Sequence, residues 1–248
     1  MTLLNQYIES GNYLFRKRSF IPLVLYVLAT AVLLFDSQEM IYPTDWLWSV
    51  VCLFISLLGL AVRIMVVGTV PAGTSGRNTR GQLASTLNTR GIYSIVRHPL
   101  YLGNFLMWLG LIVYVGHLWF SLVAMLLYWI YYERIMFAEE NFLKQQFGED
   151  FERWASKTPA FIPALKKWTS PDLDFSVRKV IRREYRGLVA VIFTFVYLNL
   201  LKNFVVFDQF RLNPHWQVML VVGITFFLIV RLIKKTTNWL EGRSRSAS

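Results

Sequence analysis

Arg97 and His98 stand directly before an apolar run in the stretch YSIVRHPLYLGN, residues 93–104, with Tyr101 and Gly103 about a turn further on. A second polar pair, Glu139–Glu140 in AEENFLKQQF, follows beyond the next apolar stretch. A guanidinium offers a fork of donors that fits a carboxylate or phosphate. An imidazole changes charge near neutrality, and adjacent carboxylates accept hydrogen bonds from hydroxyls or cations. Pro99 suits the first position of a helix, where its missing N–H costs nothing. The free N–H groups at such a helix start favour an anion. Gly103 removes a side chain where a ligand or another helix approaches the backbone. Taken alone, a basic membrane boundary accounts for Arg97 and His98, and a salt bridge accounts for the glutamates. Together they describe one anion-handling site, provided that something brings them together.

A helical hairpin in a membrane would do so. The chain has 248 residues, of which 55% are hydrophobic, and a mean hydropathy of +0.42. Its apolar residues come in blocks, which points to an integral membrane protein rather than a soluble core. Six blocks stand out: Phe20–Phe35, Trp46–Val70, Leu100–Val115, Leu118–Tyr132, Leu188–Leu201 and Trp216–Ile233. Several fall short of the ~20 residues that cross ~30 Å of hydrocarbon, and flanking Tyr42, Trp46, Trp119 and Trp216 extend them at the interface. Basic segments alternate with acidic or neutral ones at every crossing. The positive-inside rule therefore predicts an all-α polytopic bundle of about six transmembrane helices with both termini cytoplasmic. Only a few residues around Gly116 separate the third and fourth spans, so these form a tight antiparallel hairpin. The fourth continues through ERIMFAEENFLKQQF to a cap at Gly148, and Glu139–Glu140 then face Arg97, His98 and Tyr101.

Other readings carry less. The net charge of +11 belongs to loops facing anionic headgroups rather than to a nucleic-acid fold. Cys52 is the only cysteine, so no internal disulfide or thiolate metal site forms. His98, His117 and His215 lie apart without metal-ligand spacing, and no metal is expected. The first apolar run lacks a cleavage site and reads as a retained anchor. The loop VPAGTSGRNTRGQLASTLNTRGIYSIVRHP lacks a G-K-[ST] ending. With Arg77, Arg80 and Arg90 beside Arg97 and no carboxylate, it either is a solvated loop or receives an anionic headgroup. Arg63, two-thirds along the second span, is expected to snorkel to the interface. Three prolines in KTPAFIPALKKWTSPD suggest a boundary.

GIYSIVRHPLYLGN, EENFLKQQFGEDFERW and TPAFIP together resemble the isoprenylcysteine carboxyl methyltransferases and their bacterial relatives, which include phospholipid and lipid A phosphate methyltransferases. The shared pattern R-H-P-x-Y-x-G, hairpin, E-E and F-G-x-x-[YF] covers about residues 88–163. The resemblance implies S-adenosylmethionine held in a cytoplasmic pocket of the hairpin by His98, Tyr101, Gly103, Glu139, Glu140 and Tyr93. It implies Arg97 as the catalytic residue that orients the acceptor; the arginine-rich loop, where the sequence departs from the prenylcysteine enzymes, is expected to add Arg77, Arg80 and Arg90 as substrate contacts. The expected domains are an N-terminal hairpin (1–70), a catalytic core (71–168) and a two-span extension (169–248). The expected activity is O-methylation of a phosphate or carboxylate on a membrane lipid or lipidated acceptor. A phosphate-bearing lipid such as lipid A is favoured over a prenylcysteine. An NADPH-dependent sterol-type reductase and a non-catalytic lipid-binding protein are the readings from other classes.

Overall fold

A computed structural model describes residues 2–18, 20, 23–36, 46–71, 82, 84–237 and 239–241. Within them the chain is an all-α polytopic membrane bundle. The helices are α1 (Leu3–Lys17), α2 (Leu23–Phe35), α3 (Trp46–Thr69), α4 (Pro99–Tyr114), α5 (Leu118–Phe147), α6 (Glu149–Ala155), α7 (Val177–Phe207) and α8 (Pro214–Thr236). Four of them, α3, α5, α7 and α8, are long and apolar enough to cross a membrane, while α2 and α4 are shorter apolar helices. Only 17% of the apolar window of α8 is buried, so its surroundings must themselves be apolar. Each of these six helices falls on one of the six blocks of the sequence, with α5 and α7 running well beyond theirs.

Two elements depart from expectation. The first is α1, an amphipathic helix that was not foreseen. It lies along α5, where Gly11 meets the Arg134 carbonyl and the Ala138 methyl; an added Cβ would come within 2.2 Å of that carbonyl. The second is α7, which starts at Val177 rather than Leu188 and runs past Leu201 to Phe207. Ser176 caps its start by accepting from the Lys179 N–H, and the charged turns that follow are amphipathic. Ile181 and Tyr185 pack toward α8, whereas Glu184 turns to α3. Lys202, expected in a loop, is thereby buried inside the bundle, where it donates to the Tyr114 carbonyl at 2.9 Å.

The closest helix pair is α3 with α4. A Cβ on Gly59 would lie 2.4 Å from the Gly103 carbonyl, and one on Gly110 would lie 2.3 Å from the Cys52 carbonyl. Small residues let two backbones approach in lipid, where dispersion rather than water exclusion drives association. Residues 115–117 join α4 to α5. Gly116 takes φ +79° there, and the His117 Nδ1 caps α5 by accepting from the Phe120 N–H. The expected short hairpin is thus present, and Gly148 ends α5 as its sequence context implied.

Arg63 does not snorkel. Its Nε and Nη2 donate to both Glu184 carboxylate oxygens at 2.8 and 2.9 Å, and its Nη1 donates to the Asn104 Oδ1 at 2.6 Å. A guanidinium surrounded by apolar helices is stabilised by a bidentate partner, and here that partner comes from α7. Because a half-removed buried pair leaves an uncompensated charge, Glu184→Leu should cost about 3–5 kcal/mol. The double variant Arg63→Met/Glu184→Leu should recover most of that loss. Thermal unfolding of the detergent-solubilised variants measures both, and a double variant no more stable than the single one would contradict the pairing.

Candidate functional site

At one end of the α4–α5 hairpin, Glu140 Oε1 accepts from the Arg97 Nε and sits 2.8 Å from the His98 Nε2. The opposite ring nitrogen, His98 Nδ1, lies 3.7 Å from a Glu139 oxygen. Helical spacing explains the arrangement. His98 precedes Pro99 at the start of α4, while Glu139 and Glu140 occupy the eighth and seventh positions before the Phe147 end of α5. The two ends are neighbours because residues 115–117 turn the chain tightly.

The segment before α4 is held by backbone bonds. Arg97 N–H donates to the Pro159 carbonyl, His98 N–H to the Ala160 carbonyl, and Ala164 N–H to the Ile95 carbonyl. The proline-rich stretch read as a boundary therefore folds back and braces the Arg-His-Pro triplet. Trp154 adds a bond from its Nε1 to the Tyr93 carbonyl at 3.0 Å. Arg97 completes the brace, because its Nη1 donates to the Ala155 and Thr158 carbonyls at 2.7 and 2.8 Å. Three of its five N–H groups are thus committed to protein, and the contacts among the described residues leave Nη2 over.

Electrostatics follow from this geometry. Burial alone would push the His98 imidazole down, but Glu139 and Glu140 outweigh it and raise its pKa above the ordinary value. Burial would raise the Glu140 carboxyl, yet His98 and Arg97 hold it below the usual range. With both ring nitrogens facing carboxylates, the imidazolium form is favoured. Burial first, and then the Glu139 charge, raise the Tyr93 phenol. Tyr101 stacks on His98 with 5.7 Å between ring centroids and opens an aromatic cluster. Tyr132 lies 5.1 Å from Tyr101, Tyr128 stacks on Tyr132 at 4.3 Å, and Phe105 bridges Tyr128 and Phe161. Phe15 of α1 packs on the same cluster. Arg18, whose guanidinium lies 4.0 Å over the Phe15 ring, is within electrostatic reach of Tyr101 and Tyr132. Between α1 and α5 a cleft of about 390 Å³ opens beside Phe15, with Asn12, Arg16, Gln82, Asn141 and Gln145 among its lining.

The structure thus brings together Arg97, His98, Tyr101, Glu139, Glu140 and Tyr93. Gly103 is different, since its open face is filled by α3; a Cβ there would lie 2.6 Å from the Arg63 Cγ and 2.8 Å from the Gly59 carbonyl. Of the two uses open to it, helix approach is the one observed. Arg90 is a correction to the carboxylate-free loop. It pairs with Asp172 at 3.0 Å and donates to the Ser170 carbonyl, because residues 169–172 fold beside Gly91. Arg77 and Arg80 lie outside the described residues. The sequence reading missed α1 with Phe15 and Arg18, and also Phe161. The amphipathic pattern of residues 3–17 was the available signal for α1.

Comparison with known proteins adds a family. The phospholipid methyltransferase profile matches residues 47–150. A protein-S-isoprenylcysteine O-methyltransferase of Schizosaccharomyces pombe is 35% identical over 79 residues, 32% of this chain and 34% of that protein. The cobalt-zinc-cadmium resistance protein CzcN of Cupriavidus metallidurans is 35% identical over 156 residues, 62% of this chain and 67% of that protein. A probable protein-S-isoprenylcysteine O-methyltransferase of Oryza sativa subsp. japonica is 29% identical over 150 residues, 57% of this chain and 77% of that protein. The match thus spans about a third of the yeast protein and two-thirds or more of the other two. No solved structure matches the chain. With a profile that runs from α3 to the start of α6, across the hairpin that carries Arg97, His98, Glu139 and Glu140, and a 35% identical relative of which the match covers two-thirds, the chain belongs to the isoprenylcysteine carboxyl methyltransferase and phospholipid methyltransferase family.

Proposed function

We propose that the protein is a membrane methyltransferase that uses S-adenosylmethionine to O-methylate an anionic group on a membrane-embedded lipid or lipidated acceptor, from the cytoplasmic side. The observation that carries this reading is the Arg97–Glu140–His98 linkage, with Glu139 beside it and an aromatic cluster below.

The residues fit the donor's chemistry. S-adenosylmethionine would supply an electrophilic methyl group on a sulfonium cation. Glu139 is about one-third exposed, with the His98 Nδ1 3.7 Å away and the Tyr101 hydroxyl as a further neighbour, and its remaining lone pairs suit hydroxyl or ammonium groups of the donor. Glu140, committed to Arg97 and His98, positions them. Tyr101 and Tyr132, buried in the aromatic cluster that stacks beneath His98, exclude water from this end of the hairpin. A carboxylate or phosphate acceptor is ionised at neutral pH, so the site needs no general base. Alignment is its main contribution, and this can supply about 7–11 kcal/mol. Arg97 Nη2 is the group left to orient the acceptor anion.

Between acceptors, a carboxylate gains ground. The lean toward a phosphate-bearing lipid such as lipid A rested on unpaired loop arginines, and Arg90 is paired with Asp172. Four of the matching curated relatives are named protein-S-isoprenylcysteine O-methyltransferases, two of them as probable, which supports a lipidated carboxylate for this chain.

Glu139→Gln should weaken S-adenosylmethionine binding about tenfold while leaving the fold intact, as calorimetry on the solubilised protein would read; unchanged binding would remove Glu139 from the donor site. Arg97→Lys should lower transfer to a lipidated acceptor by 10²-fold or more, since lysine lacks the fork. Labelled-donor turnover tests this, and wild-type rates would exclude Arg97 from acceptor orientation. The pH response has a definite sign. The raised His98 pKa adds stability that is complete below about 6.5 and is lost as pH rises through its folded value. The lowered Glu140 pKa adds stability that is complete above about 4.3 and is lost as pH falls through its folded value. Thermal stability should therefore hold between those limits and decline on the alkaline side, and His98→Gln should remove that decline.

A further inference from the structure

The α7–α8 hairpin lies beyond the profile-matched residues and carries cations that the site above does not use. Helix α7 opens with Arg178, Lys179, Arg182, Arg183 and Arg186, and α8 closes on Arg231, Lys234 and Lys235. The two helices are antiparallel neighbours, so these ends meet. They meet at the Arg97 end of the bundle, because the Ser176 N–H donates to the Gly68 carbonyl and the Lys179 ammonium to that of Val70, both at the close of α3.

Three of these cations gather on one aromatic platform. The Arg186 Nε donates to the Tyr185 hydroxyl at 3.0 Å. The Lys234 Nζ stands 5.5 Å from the Tyr185 ring centroid, and the Arg231 guanidinium stands 6.0 Å from that of Phe227. The two rings are themselves 6.0 Å apart. Tyr185 is buried against Val230 and Leu240, so the platform is fixed, while Arg186, Arg231 and Lys234 are exposed. Burial would raise the Tyr185 phenol, yet Arg186, Lys234 and Arg231 together lower it, as a concentrated positive field requires. The neighbouring Glu184 points the other way and is consumed by Arg63. None of the ion pairs among the described residues uses Arg186, Arg231 or Lys234.

Like charges held this close repel unless an anion sits among them. At a membrane boundary the concentrated anion is lipid phosphate. Directly above the cluster, α8 presents Leu228, Ile229 and Leu232 outward, each more than half exposed, as a surface for acyl chains. We propose that Arg186, Arg231 and Lys234 bind the phosphate headgroup of an anionic membrane phospholipid whose chains lie along α8. The two guanidiniums give charge-assisted bonds to phosphate oxygens, Lys234 adds a point charge, and the lipid pins the depth of the hairpin in the bilayer. This site is separate from the methyl-transfer reading and stands or falls without it.

Native mass spectrometry of the full chain in a neutral detergent tests it, with phosphatidylglycerol or phosphatidylcholine added. The expected result is retention of phosphatidylglycerol over phosphatidylcholine by about tenfold or more. That preference should vanish in Arg186→Gln/Arg231→Gln/Lys234→Gln. It should survive in Lys157→Gln/Lys166→Gln/Lys167→Gln, which removes equal charge from the neighbouring exposed loop. Arg186→Lys/Arg231→Lys should keep a reduced preference, which separates lost charge from lost fold. Equal retention of both lipids, or a preference that persists in the glutamine variant, would overturn the proposal. Displacement of phosphatidylglycerol by millimolar inorganic phosphate would also overturn it, since the site would then be one for a free anion.

Discussion

The contact between Glu140 and the Arg97–His98 pair is the one on which the site depends. A single carboxylate oxygen lies 2.8 Å from both the arginine Nε and the histidine Nε2, which joins the start of α4 to the far third of α5. Arg97 then reaches the Ala155 and Thr158 carbonyls, so four segments meet on one guanidinium. Arg97 and Glu140 keep part of their surface exposed, while His98 is buried. Burial works against both charges, and the bonds and charges that the three side chains exchange outweigh it, which lowers the Glu140 pKa and raises that of His98. Glu140 is spent on Arg97 and His98, while its neighbour Glu139 stays about one-third exposed beside His98.

A second ion pair fixes the hairpin's surroundings. Glu184 of α7 holds Arg63 of α3, Arg63 holds Asn104 of α4, and Asn104 Nδ2 donates to the Tyr132 hydroxyl of α5 at 3.3 Å. This chain of polar contacts crosses four helices within apolar surroundings, where an unpaired group would be costly. It also ties the C-terminal hairpin to the aromatic cluster beside His98. The glycine contacts between α3 and α4 allow it, since Arg63 reaches α4 only because Gly59 and Gly103 let the two backbones come close. Gly103 thus serves the site through helix packing rather than by facing it.

Some of this was legible in the residues. Six apolar blocks and the alternation of loop charge described the bundle, because lipid permits few solutions for a spanning backbone. A short connection at Gly116 implied that Arg97–His98 and Glu139–Glu140 are neighbours, because a tight hairpin leaves no other arrangement. Other features were hidden for a physical reason. Arg63 and Glu184, like Arg90 and Asp172, are far apart along the chain, and charge alone does not say which partner a fold will bring. The amphipathic pattern of α1 says that one face packs, but its docking on α5 depends on Gly11 meeting the Arg134 backbone and Tyr7 meeting Arg134 and Phe137, and such complementarity between distant segments leaves no periodic signal.

The sequence by itself therefore determined what periodicity and chain connectivity control: the presence and order of the six apolar helices, and the meeting of the two polar clusters across a short turn. Only the tertiary structure decided how their capacity is divided. It assigned Glu140 and most of Arg97 to holding the site together, left Glu139 open, turned Gly103 to α3 and grouped three cations on Tyr185. Those outcomes depend on which distant side chains compete for each donor and acceptor, and that competition is settled by packing among helices rather than by local pattern.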